Sequence, residues 1–210
     1  THCYSQSILI GTCMIVNHRY KFIFVKTRKV GGTSLEVALS KYCDQNDIIT
    51  KIIPGEDQRI IRGYQGPVNY QQYHFQNHTP AYYIKEKLGD AIWNSYYKFT
   101  VLRDPVDWVI SEYYWQNKKS LPDFDEWMYK LLENDFVNWN IHTIDNNPAM
   151  NFYVLYEQMN KDLTKLSQTL GLPGDLGDEV KSINLKGGIR NNRQPEITDQ
   201  LRKKINEWAK

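Results

Sequence analysis

The chain has 210 residues, 41% of them hydrophobic and 24% charged, with a formal net charge of +2. That length supports one sizeable domain whose core needs neither disulfides nor a structural metal. So small a net charge excludes general attraction to nucleic acid or to an anionic membrane surface, so any anion site must be local.

Residues 1–19 read as an N-terminal extension and the lead-in to a first strand. The opening THCYSQSILIGTCMIV is mildly apolar but lacks the basic segment and small-residue cleavage site of an export signal. No apolar run anywhere reaches the roughly 18 residues that a membrane span requires. Cys3, Cys13 and Cys43 form neither a CxxC pair nor an even set, which fits reduced thiols and a cytoplasmic location. No internal repeat or low-complexity tract is present.

YKFIFV, Tyr20 to Val25, is a continuous apolar run of strand length, as in a strand covered on both faces. Past Gly31-Gly32, the residues Leu35, Ala38, Leu39 and Tyr42 recur at helical spacing. The stretch from Asp44 to Thr79 is rich in Gly, Pro, Gln, Asn and Tyr and reads as long loops with short elements. AYYIKEKLGDAIWNSY predicts a helix that Gly89 stops or breaks. YKFTVLR, Tyr97 to Arg103, is a second buried strand, followed by a helix that Asp104 can N-cap with Pro105 at its first position. PDFDEWMYKLLEN predicts an amphipathic helix. NFYVLYEQM begins as a strand and passes into a helix ended by Gly171 and Pro173. A final helix, TDQLRKKINEWAK, follows the polar loop NLKGGIRNNRQPE. Strands alternating with helices predict an α/β domain on a parallel sheet.

Two stretches carry chemistry. In KTRKVGGTSLE a glycine-rich turn joins a buried strand to a helix, so several backbone N–H groups converge where the helix dipole is positive. Gly31 and Gly32 permit close approach of an anion, Thr33 and Ser34 add hydroxyls, and Lys29 adds a cation. The nucleotide loop GxxxxGK[ST] is absent, because here the lysine precedes the glycines. The plainer reading is a tight turn. In LRDPVDWVISEYYW, Arg103 ends a strand and Ser111 lies eight residues on, within reach of an arginine folding back along roughly 10 Å of helix. An arginine with a hydroxyl suits a phosphate monoester. An Arg–Asp pair at the helix start with a buried serine fits equally well. Tyr113, Tyr114 and Trp115 read as core.

Together these motifs resemble the two phosphate grips of a sulfotransferase. KTRKVGGTSLE resembles the family's 5′-phosphosulfate loop, and LRDPVDWVISEYYW resembles its 3′-phosphate motif. The likeness is greatest to the branch holding the uronosyl 2-O-sulfotransferases and related bacterial proteins. It covers most of the chain from Tyr20, and only weakly residues 44–72. It implies a three-layer, P loop NTPase-like fold with a mostly parallel central sheet, and 3′-phosphoadenosine 5′-phosphosulfate (PAPS) as donor without a metal. It also implies a hydroxyl acceptor on a glycan.

Carried over, Lys29 would meet the phosphosulfate, and the loop Val30, Gly31, Gly32, Thr33 and Ser34 would hold the 5′-phosphate. Arg103 and Ser111 would hold the 3′-phosphate, with Tyr156 near the adenine. Lys186, Gly187, Gly188 and Arg190 would form a basic loop over the donor. Arg28 stands where many relatives carry proline. The catalytic base would be a histidine between the two motifs: His78, whose NHTPA setting resembles a recurring element before the helix, with His74 in reserve. A loop-fixing histidine is the plainer reading of His78. His142 lies outside any motif, and Glu56 or Asp57 stays open as base. A kinase-like phosphotransferase and a non-catalytic nucleotide-binding protein of the same fold are the alternatives.

Overall fold

A computed structural model of the chain describes residues 14–52, 56–75, 78–117, 120–183 and 195–209. In chain order its elements are β1 (Ile15–Asn17), β2 (Phe22–Phe24), α1 (Gly32–Ser40), β3 (Ile48–Ile49) and α2 (Glu56–Arg62), then α3 (Ala81–Ser95), β4 (Tyr97–Leu102) and α4 (Pro105–Gln116). There follow α5 (Phe124–Leu132), α6 (Val137–His142), β5 (Thr143–Ile144), β6 (Asn147–Pro148), β7 (Phe152–Leu155), α7 (Met159–Thr169), α8 (Leu176–Ile183) and α9 (Asp199–Trp208). Single 3₁₀ turns cover Tyr70–Tyr73 and Tyr156–Gln158.

The central sheet has strand order β3-β1-β2-β4-β7 among the described residues. β2 pairs parallel with β4, and β4 with β7, while β1 pairs antiparallel with both β2 and β3. The sheet is therefore mixed, and the expected parallel arrangement holds in the β2-β4-β7 half. The antiparallel half arises because Ile15–Asn17 is itself a strand, joined to β2 by a turn in which Lys21 takes φ 51° and the Asn17 side-chain Oδ1 accepts the Tyr20 amide. A three-residue strand inside a mildly apolar stretch is too short to produce a periodicity.

Alternation along β2 explains the layers. Phe22 and Phe24 face a core shared with Leu35, Leu39, Phe99, Val101, Leu163, Leu166, Leu176 and Val180, which draws α1, α7 and α8 onto one side. Ile23 and Val25 face the opposite core, with Ala81, Ile84, Leu88, Trp93 and Ile141 from α3 and α6. A third cluster joins α4, α5 and α9 through Trp108, Tyr113, Phe124, Met128 and Leu201. Gly89 does break its helix, with φ 78° and ψ 160° inside α3. Residues 44–79, expected to be long loops with short elements, hold β3 and α2 as such elements among the described residues. Of the three cysteines only Cys43 falls among the described residues. It is a free thiol whose burial pushes its pKa up.

Candidate functional site

The end of β2 is built from pieces far apart in sequence. Val25 still donates to the Phe99 carbonyl at 3.0 Å, and the Thr27 hydroxyl donates to the Val101 carbonyl at 2.5 Å, so the chain clings to β4 beyond the last ladder residue. At Arg28 the strand neighbours run out. There the Asn138 carboxamide of α6 takes their place, accepting the Arg28 N–H at 2.8 Å and donating to the Arg28 carbonyl at 3.0 Å. The Trp108 indole N–H donates to the same carbonyl at 2.8 Å.

The chain then turns through Lys29 (φ 58°) and Gly31 (φ 71°) into α1. Gly31 occupies the N-cap position without a side-chain cap, and its carbonyl accepts the Ser34 amide at 3.2 Å at the positive end of the α1 dipole. Both glycines are required by contact. A Cβ on Gly31 would lie 3.3 Å from the Tyr156 ring in a left-handed conformation, and one on Gly32 would lie 2.8 Å from the Lys26 side chain.

Lys26 crosses beneath this turn. Its ammonium donates to the Glu36 carboxylate at 2.8 Å and to the Thr33 hydroxyl at 3.3 Å. Glu36 is fully buried and Lys26 nearly so, so each charge depends on the other. Val30, expected to line the donor site, turns its side chain into the core and offers only its backbone to the loop.

The end of β4 is built locally. Asp104 caps α4 by accepting the Asp107 amide at 2.9 Å, with Pro105 at the first helical position. The Arg103 Nε donates to the Asp107 carboxylate at 2.5 Å, and its Nη1 donates to the Lys29 carbonyl at 2.6 Å. The same guanidinium lies 4.2 Å from the centroid of the Tyr156 ring. Arg103 thereby ties together the glycine loop, the start of α4 and the turn after β7. Among the described residues no hydrogen bond joins Arg103 to Ser111. Ser111 is half-buried one turn beyond Asp107, and Asp107 is the nearer acceptor for an arginine at the helix start. The Lys29 ammonium sits 4.1 Å from the Trp115 ring centroid. Trp115 therefore belongs to the site wall, whereas Tyr113 and Tyr114 are core as expected.

The histidines separate clearly. His78 takes φ 55° and its Nδ1 lies 3.0 Å from the Lys26 carbonyl. A carbonyl can only accept, so Nδ1 carries the proton and Nε2 keeps the lone pair. His74 is exposed after the first 3₁₀ turn. His142 is buried edge-on to Trp139 and Tyr153, and that burial lowers its pKa. Glu56 is committed to the Ile52 amide and Arg59. Lys186, Gly187, Gly188 and Arg190 lie outside the described residues, where their expected loop cannot be followed. Among the described residues, no three His, Cys, Asp or Glu side chains gather as metal ligands would.

A glycine turn opening a helix between parallel strands, with an arginine from the next strand end folded onto it, is the arrangement expected of a two-phosphate ligand site. A family model described as "Sulfotransferase family" matches residues 12–207. The chain belongs to the sulfotransferase family. It is also 27% identical over 115 residues to an uncharacterized protein of Archaeoglobus fulgidus, an overlap that takes in 49% of this chain and 91% of that protein. No solved structure matches it.

Within this sulfotransferase, the sequence motifs marked the glycine loop, Lys29, Arg103 and His78, and the fold brings them to adjacent strand ends. Lys26, Glu36, Trp108, Glu112 and Asn138 escaped notice. Glu112, buried on α4, pairs with the Arg28 guanidinium at 2.9 Å. One signal for it was available: Trp108, Glu112 and Trp115 follow i, i+4, i+7 spacing, and all three touch the segment Arg28–Lys29. Asn138 left no comparable trace, because its partner is 110 residues away.

Proposed function

We propose that this sulfotransferase moves a sulfuryl group from PAPS to a hydroxyl on a carbohydrate acceptor, by in-line displacement with His78 as base. The observation that carries this reading is the bridge made by Arg103 between the Lys29 carbonyl and the Tyr156 face. It sets a guanidinium beside the uncapped start of α1, which supplies two anion grips at the ends of neighbouring parallel strands. A donor with separated 5′ and 3′ phosphate groups needs two such grips.

In this reading Thr33 and Ser34, with the backbone of Gly31 and Gly32, hold the 5′-phosphate, while Arg103 and Ser111 hold the 3′-phosphate. Tyr156 borders the adenine. The acceptor oxygen attacks sulfur as the bond from sulfur to the 5′-phosphate oxygen breaks. The electron pair of that bond stays on the phosphate, where Lys29 offsets the growing charge. The acceptor proton passes to His78 Nε2, the nitrogen that the Lys26 carbonyl leaves with its lone pair. The products are the sulfate ester and 3′-phosphoadenosine 5′-phosphate.

Calorimetric titration with 3′-phosphoadenosine 5′-phosphate, beside ATP with magnesium, tests the donor site. Metal-independent micromolar binding that is lost in Arg103→Ala supports the reading. Preference for magnesium ATP would move the chain to phosphoryl transfer. Turnover with a panel of glycans, abolished in His78→Ala while nucleotide binding persists, tests the base.

A further inference from the structure

We infer that Asn138 is a positioning residue for the 5′ end of the donor site, acting through the backbone of Arg28. The inference rests on the donor-site reading above. Three observations converge on it. First, Arg28 is where β2 loses its sheet partners, and Lys29, directly after it, adopts a left-handed φ of 58°. A non-glycine residue holds that conformation only where its surroundings fix it. Second, the Asn138 side chain engages both hydrogen-bonding groups of Arg28 at once, at 2.8 and 3.0 Å, and is 4% exposed. A carboxamide has the donor and acceptor of a peptide group in one plane, so it continues the ladder that the sheet no longer supplies.

Third, Asn138 is itself held rigidly. Phe136 packs edge-on to Trp108 with ring centroids 5.2 Å apart, Val137 joins two core clusters, and Ile141 is buried in the core of the α3 face. Trp108 closes the arrangement by donating to the carbonyl that Asn138 also serves. α6 is thus a short brace whose buried Asn138 side chain sets the direction in which the chain enters the Lys29–Gly31 turn. Loss of Asn138 leaves a half-buried N–H without this partner and weakens the hold on a half-buried carbonyl. That penalty falls on the turn, since the strand behind it stays bonded to β4 through Val25 and Thr27.

The test compares two ligands on the full chain: 3′-phosphoadenosine 5′-phosphate, and adenosine 3′-monophosphate, which lacks the 5′ group. Asn138→Ala is expected to weaken the first about tenfold and the second less than twofold. Amide hydrogen exchange should rise over residues 28–34 and stay unchanged over 99–102. Equal weakening of both ligands, or no weakening of the bisphosphate, overturns the inference. If wild type binds neither ligand, the donor-site reading itself fails and the inference falls with it. Should Asn138→Ala not fold, Trp108→Phe removes the indole N–H from the Arg28 carbonyl together with part of a buried ring, so its unfolding is measured beside its binding. It is expected to weaken the bisphosphate two- to threefold with the same selectivity, and an unselective effect again overturns the inference.

Discussion

The two strand ends that form the site are held in opposite ways. At the end of β4, the start of α4 carries its own cap, since Asp104 accepts the Asp107 amide and Arg103 reaches Asp107 one turn on, and the distant Glu157 carboxylate adds to this by accepting the Asp104 amide. At the end of β2, the holds come from 74 to 110 residues away, through Arg103, Trp108 and Asn138. Locally, Lys26 and Glu36 support that loop from beneath. A helix start carries its own capping chemistry, whereas a left-handed turn bearing Lys29 has to be imposed from outside. The β4 end should therefore respond to mutation like an isolated helix terminus, and the β2 end like a joint between layers.

The largest effect should come from beneath the glycine loop. Lys26→Met leaves Glu36 charged and buried without its ammonium, which should cost about 3–5 kcal/mol in urea unfolding. Lys26→Met combined with Glu36→Leu should recover most of that loss, and an additive double variant would show the two are not coupled. Next in size, Arg103→Ala removes the bridge between the two strand ends. Affinity for 3′-phosphoadenosine 5′-phosphate should fall about a hundredfold in calorimetry, with a smaller change in stability.

Acid should then distinguish the two ends. Burial holds the His142 pKa below its ordinary value of 6.5, so the folded state keeps the ring neutral while the unfolded chain takes up a proton. The stability this group contributes is present above pH 6.5 and is lost as pH falls below it. Unfolding at pH 7.5 and 5.5 should show this difference in wild type and not in His142→Phe. Because His142 ends the helix that carries Asn138, the loosening should reach the β2 end first. The smallest effect belongs to the locally built end: Asp104→Ala should cost about 1 kcal/mol, the ordinary value of a lost N-cap. A cost of several kcal/mol would mean that this end, too, is held from a distance.

Which parts of the site could be read from the sequence follows the same division. Asp104 and Pro105 announce the start of α4, Gly31-Gly32 announce a turn into a helix, and Gly89 announces a break, since each acts through its own backbone. Trp115 was placed less well, and the two readings of Arg103 stayed level. Spacing along a helix fixes the face a residue occupies but not what meets that face. So Arg103 closes on Asp107, and Trp115 lies under Lys29 where core packing was expected. β1 and β3 went unread because strands of two or three residues exist only through their neighbours.

By itself, the sequence determined the alternation of buried strands and amphipathic helices, the caps and stops, and the two motifs that identify the family. These depend on interactions within one or two helical turns. Tertiary structure alone decided the mixed pairing of the sheet and the burial of Lys26 against Glu36. It also decided the choice of Asn138 and Trp108 to complete the backbone of Arg28. Each of these satisfies a polar group that the local chain leaves without a partner, and only a folded chain can bring a partner from 80 or 110 residues away.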